Sequence, residues 1–223
     1  MHFHLPKPMH GWREFLGEVG IIVVGVLIAL GGEQVVESAR WRTEVSEARE
    51  TLNTQLAESL FASRELIKDS DCTNQKLDRL DAAIERDRPQ INDFTVGSLR
   101  LWSTSAWDAA VSSGAVAHMA PEERSRYANL FAFTAALGEM NRQGFDTASD
   151  LQTLVSHPNL TDVSRDRLAQ EISRLKGLNR MLTLGAGQWI ESAKPFNIDV
   201  VGDDRRRLAE FRPCQMPDEL AKN

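Results

Sequence analysis

Phe15 to Val36 reads FLGEVGIIVVGVLIALGGEQVV, and its centre, Val19 to Gly32, is fourteen residues without a charged or polar side chain. A bilayer core takes about 20 helical residues. The whole stretch has 22 residues, about 33 Å of helix. Glu18, Glu33 and Gln34 interrupt it only near its ends, where polar groups reach headgroups. Trp12 and Trp41 flank it 29 residues apart, about 43 Å along a helix, close to the ~40–45 Å of core plus headgroups. Tryptophan favours both interfaces. The pattern predicts a membrane span over 15–36 with lipid as its surroundings and Trp12 and Trp41 as interface anchors.

Two other readings compete. Lys7 and Arg13 with Ala29-Leu30-Gly31 resemble a cleavable signal peptide. Glu18 is out of place there, and the helical pattern runs on through the cleavage point into Glu37. A buried core helix is disfavoured, because the rest of the chain offers too little apolar surface to wrap it. Lys7 and Arg13 precede the span with no acid before Glu14, so residues 1–14 read as a cytoplasmic leader and the C-terminal domain as exported. Arg40, Arg42 and Arg49 follow soon after, so that bias is modest.

Beyond the span the chain reads as all-α. Val45, Ala48, Leu52, Leu56 and Leu60 recur in steps of three and four, and neither proline nor glycine occurs between Glu33 and Asp69. One helix is therefore expected from the span to about Lys68, then a short one from Asn74 to Arg86 and a loop over Asp87 to Gly97. Ser103 to Val111 reads as a short helix stopped at Ser112-Ser113-Gly114. Pro121 opens a long helix with Glu122 and Glu123 in its first turn. Its stripe is Leu130, Phe133 or Thr134, Leu137, Met140, Phe145, Ala148 and Leu151. His157-Pro158-Asn159 reads as a turn. Thr161 or Asp162 caps a last helix carrying Leu168, Ile172, Leu175, Leu178 or Asn179, Leu182 and Trp189, ended by Pro195. An antiparallel helical bundle over 37–196 follows, with a polar tail over 197–223.

Composition and motifs exclude more than they identify. The net charge is −6, against a general nucleic-acid binder. Cys72 and Cys214 are the two cysteines. In an oxidising compartment they read as one long-range disulfide, and in a reducing one as two thiols. They have no matched histidines for a zinc site. His2, His4 and His10 lie in a proline-containing leader without a nearby carboxylate, and His118 and His157 are isolated, so no metal is expected. HExxH, phosphate-loop and GxSxG patterns are absent. Gly185-Ala186-Gly187 lies inside a helical pattern, where a nucleotide loop does not form. Asn159-Leu160-Thr161 matches a sequon by way of a capping threonine. Arg205 to Arg207 stand beside Asp203 and Asp204 and read as a self-paired surface. Trp102 and Trp107 read as packing residues, or else as the wall of a ligand pocket. No catalytic residue, cofactor or enzymatic activity is expected.

Within the span, Glu18, Gly25, Ala29 and Gly32 are spaced 7, 4 and 3 and share one helix face. Gly25 and Ala29 form a small-xxx-small pair that admits another helix, of a second copy or of a membrane complex. Glu18 on that stripe needs a partner or a headgroup.

Gly17-Glu18-Val19 followed by IIVVGVLIAL, and Ser105-Ala106-Trp107 followed by DAAVSSGAVAHM, resemble segments of a family of uncharacterised bacterial single-span membrane proteins. The resemblance implies an inner-membrane protein with a helical exported domain, and no reaction. The Gly31-Gly32-Glu33-Gln34 end departs from the asparagine-rich end of many members. Two functions stay open: a non-enzymatic, membrane-anchored scaffold or accessory subunit, and an exported sensor-like bundle binding a small ligand between helices.

Overall fold

The computed structural model describes residues 11–85, 100, 102–155, 161–200 and 202–211. The chain forms two units, Met1–Glu47 and Ala48–Asn223. Five α-helices are present among the described residues: α1 (Gly11–Glu85), α2 (Ser105–Ser112), α3 (Pro121–Val155), α4 (Asp162–Ala193) and α5 (Gly202–Glu210). The protein is all-α, with no strand among the described residues. In the first unit, α1 carries a stretch long and apolar enough to cross a membrane, none of it buried by the chain.

The second unit is a bundle of residues 48–85 of α1 with α3 and α4. The directions follow from the contacts. Arg49 meets Glu123 and Asn53 meets Tyr127, both pairs 74 residues apart, so α1 and α3 run parallel. Thr134 meets Trp189 and Gly144 meets Leu182, so α3 and α4 are antiparallel. Leu77, Leu80, Ile84, Leu151, Val155, Leu168, Ile172 and Leu175 close one end of the core. Each such side chain contributes about 1.5–3 kcal/mol on burial.

The helix ends agree with their local chemistry. Thr161 accepts from the backbone N–H of Ser164 while the Ser164 hydroxyl takes the N–H of Thr161, a capping box at the head of α4. Gly114 sits at φ +83°, which a residue with a side chain adopts poorly, and turns the chain out of α2. The expected start of α3 at Pro121 holds.

Three differences from the sequence reading have physical causes. The helix expected to stop near Lys68 and restart at Asn74 is one helix to Glu85. Asp69 to Asn74 are weak helix formers, but Asn179 donates to the Ser70 carbonyl, the Ser70 hydroxyl and Asn74 Oδ1, so their polar groups are satisfied by α4 within the helix. The α3 stripe runs through Asn141 and Gly144, while Phe145 is exposed. The tail from Asn197, read only as polar, carries a helix: α5 folds there, with Lys68 Nζ donating to the Leu208 carbonyl at 2.6 Å and the Arg207 guanidinium over the Phe61 ring. The loop expected over Asp87 to Gly97 and the turn at His157-Pro158-Asn159 lie outside the described residues.

Candidate functional site

Parallel α1 and α3 need a return connection, and its last stretch lies against both. Arg100 is buried, with Nη2 3.0 Å from Asp69 Oδ2 and Nε 3.5 Å from Glu65 Oε2. Asn141 Nδ2 donates to the Arg100 carbonyl at 3.0 Å. Trp102 Nε1 donates to Ser63 Oγ at 3.3 Å. Gln55 accepts from the Ala106 N–H at 2.9 Å and donates to Ser105 Oγ at 2.8 Å, capping α2 from across the bundle. Gly138 lets the segment approach: a Cβ there would lie 3.0 Å from the Trp102 carbonyl oxygen. Buried backbone outside a helix must find partners, and α1 and α3 supply them here.

Beside this segment lies a cleft of about 40 Å³ lined by Leu66, Thr73, Arg100, Asn141, Gly144, Phe145, Leu175, Leu178, Asn179 and Leu182. Four polar side chains from α1, the connection, α3 and α4 thus meet apolar walls. Arg100 Nε is buried and pairs with Glu65 Oε2 at 3.5 Å by charge, without a well-aligned hydrogen bond. Asn141 and Asn179 stand in core stripes where an aliphatic residue is the default, and that polarity was the signal available in the sequence. Nothing about Arg100 or Gly144 marked them before the fold was known.

Other titratable groups serve the bundle. Arg49 donates twice to Glu123, at 2.6 and 2.8 Å, and its hydrogen bond holds the Glu123 carboxyl below its ordinary range. Burial pushes the Tyr127 hydroxyl up, which keeps it a donor to Asn53 Oδ1 at 2.9 Å. Burial opposes the charge of Lys176, yet its bonds to Asp78 and Asp81 raise its pKa.

The residues singled out from the sequence are not drawn into one site. Glu18, Gly25, Ala29 and Gly32 are exposed along α1, and beyond the helix's own adjacent backbone nothing stands within 4 Å of a Cβ built at Gly25 or Gly32. Trp12 is exposed, and Trp41 Nε1 lies 3.4 Å from Glu37 Oε1. Trp102 is buried and Trp107 stacks on Phe131 at 5.8 Å, so both pack the bundle and neither lines the cleft. Arg205 pairs with Asp199, Arg206 with Asp203 and Arg207 with Asp204, a self-paired surface. Gly185 packs on Leu137 inside α4, away from any loop. Cys72 is buried. Cys214, His2, His4, His10, His157, Asn159 and Leu160 lie outside the described residues. Among the described residues no group of three or more His, Cys, Asp or Glu side chains is placed to hold a metal.

No family model matches the chain, and no curated protein or solved structure does.

Proposed function

We propose that this chain is a non-enzymatic scaffold or accessory subunit of a bacterial inner membrane. Residues 15–36 span the bilayer once, the leader is cytoplasmic and the helical bundle is periplasmic. The observation that carries the reading is the apolar run of α1. Ile21, Ile22, Leu27, Ile28 and Leu30 are all more than half exposed, at 76%, 66%, 62%, 70% and 56%. Lipid tails, or another helix among them, are the surroundings that such a surface fits. The Glu18, Gly25, Ala29 and Gly32 face supports a helical partner, of a second copy or of a membrane complex. Low side chains admit close backbone approach, and a partner donor stabilises Glu18. The basic leader supports the orientation.

The proposal extends to a disulfide between Cys72 and Cys214. Cys72 is 3% exposed, and the described residues hold no free cysteine. Export supplies the oxidising compartment such a bond needs.

The test is association of the span in a membrane reporter, with co-purification of the intact chain from mild detergent. Gly25→Ile and Glu18→Gln are expected to weaken association, while Leu27→Ile is expected to leave it. Unchanged association in both stripe variants, with no protein retained on purification, overturns the partner reading.

A further inference from the structure

We propose that the outward face of α3 and α4 is a surface on which two copies of this chain pair, with α3 of each copy lying on α4 of the other. The inference concerns the bundle of the second unit alone and does not rest on the partner proposed for the span.

Helix geometry defines the face. Thr134 stands by Trp189, Leu137 by Gly185 and Gly144 by Leu182. Met140 is therefore level with Leu184, and Asp150 with Arg174, to within a turn. Steps of three and four put Ala132, Ala136, Met140 and Gln143 along one side of α3. The same steps put Arg174, Gly177, Met181, Leu184 and Gln188 along one side of α4. Ala132, Ala136 and Gln188 are exposed, and Met140 is half-buried. Met181 and Leu184 are 60% and 61% exposed. The first helix lies on the other side of the pair: it meets α4 at Asn179 and Thr183 and α3 at Tyr127. The face is left uncovered.

Its chemistry suits its own copy. Met181 and Leu184 stand up from α4, whereas Ala132 and Ala136 leave α3 low. The long side chains of one copy therefore fill the trough of the other, as ridges fill grooves. Charge fixes the orientation. Asp150 is exposed and makes no hydrogen bond or ion pair among the described residues. Arg174, level with it on α4, is 61% exposed and is held only by Glu171, at 3.9 Å. A twofold axis along the helices sets Asp150 of each copy opposite Arg174 of the other, twice by symmetry. An axis across the helices would stack α3 on α3 and α4 on α4, and Asp150 would then meet the far end of its own helix. Opposite charges select the first arrangement.

The extent is sufficient. Asn129 to Leu154 of α3 is 26 residues, about 39 Å of helix. Two helices side by side are about 20 Å wide. The face thus offers roughly 800 Å², the share that one partner gives to an interface of standard size.

The experiment is sedimentation velocity of the full chain in mild detergent, over a range of concentrations. Every sample carries Glu18→Gln and Gly25→Ile, so that the span stripe is already altered and a failure of the span reading leaves this result standing. A dimer is expected to persist in that background. Leu184→Lys and Met181→Lys, both at exposed positions, are each expected to raise its Kd at least tenfold. Asp150→Arg is expected to weaken it, and Arg174→Asp added to Asp150→Arg to restore it. The proposal is overturned if the chain is a monomer throughout, including a monomer that retains a different protein through this face. It is overturned equally if a folded lysine variant leaves the dimer unchanged, or if the double exchange pairs no better than Asp150→Arg alone. Should one lysine variant fail to fold, the other and the charge exchange still decide.

Discussion

Replacing Gly138 with alanine tests whether the connection before α2 is held rigidly between α1 and α3. Alanine in a helix interior is favoured over glycine by about 1 kcal/mol. Gly177, in α4, has no atom within 4 Å of its built Cβ, so Gly177→Ala realises that gain in full. At Gly138 the same methyl meets the Trp102 carbonyl oxygen at 3.0 Å and Trp102 Cβ at 3.5 Å. The opposing atoms cannot retreat freely. Trp102 is tied to Ser63, the Arg100 carbonyl to Asn141, and the Ala106 N–H to Gln55. Overpacking of this kind costs about 1–3 kcal/mol, which offsets or exceeds the propensity gain. Gly138→Ala is therefore expected to be neutral to about 2 kcal/mol destabilising. Thermal unfolding of the full chain in mild detergent, followed by near-ultraviolet circular dichroism, reads both. Gly177→Ala is expected to raise Tm by about 2–4 °C for a bundle of this size, and Gly138→Ala to leave it unchanged or lower it. If Gly138→Ala raises Tm as much as Gly177→Ala, the connection yields to the methyl and is not pinned as described.

Glu123→Gln removes a carboxylate whose pKa Arg49 lowers. Its contribution is present above the ordinary carboxylate value and lost as pH falls through the lowered one. The stability difference between wild type and variant, under about 1 kcal/mol for a partly exposed pair, should shrink as pH falls below the ordinary carboxylate range; a constant difference refutes the linkage. Thr134→Val keeps the side-chain shape but orphans the Trp189 indole N–H, a bond of 2.9 Å between two fully buried groups. A loss of about 1–3 kcal/mol is expected, and unfolding in urea with no shift in midpoint refutes it. Alkaline carbonate washing should leave the intact chain in the membrane pellet, whereas release of a shortened chain beginning near Gly32 favours the signal-peptide reading.

The helices were legible because their information is local. Pro121, Glu122 and Glu123 mark a helix start, Thr161 a cap and Gly114 a stop, each by backbone chemistry within a few residues. The join at Lys68 to Asn74 was misread for the opposite reason. Its polar residues weaken a helix in isolation, and their partners come from far along the chain: Asn179 and Thr183 reach Ser70, Asn179 reaches Asn74, and Arg100 pairs with Asp69. The stripe of α3 slipped in the same way: Met140 and Phe145 match an apolar template better than Asn141 and Gly144, yet the connection needs the amide and the cleft wall uses the glycine. The apolar stretch of α1, long enough to cross a membrane, needed no tertiary information, because its run is continuous. The cleft could not be foreseen, since it depends on an arginine brought against α1 by a crossover.

The polar groups inside this bundle belong to two classes, and the distinction decides how function is sought here. Gln55, Ser63 and the amide nitrogen of Asn141 are consumed by the connection from Arg100 to Ala106. Ser70, Asn74, Thr183 and the amide nitrogen of Asn179 are consumed where α1 crosses weak helix formers. A buried polar group that satisfies backbone or a neighbouring side chain is explained by folding alone. Set aside those, and few buried side-chain atoms lack a hydrogen bond; among them are Glu171 Oε2 and Arg100 Nε, the latter still 3.5 Å from Glu65 Oε2. Leucines at positions 141 and 179 would continue both apolar stripes, but they would remove the amides that hold the Arg100 carbonyl and reach Ser70 and Asn74. The polar groups of the bundle are thus largely accounted for by folding, whereas the apolar stretch of α1 is covered by no part of the chain and is the feature that folding leaves unexplained.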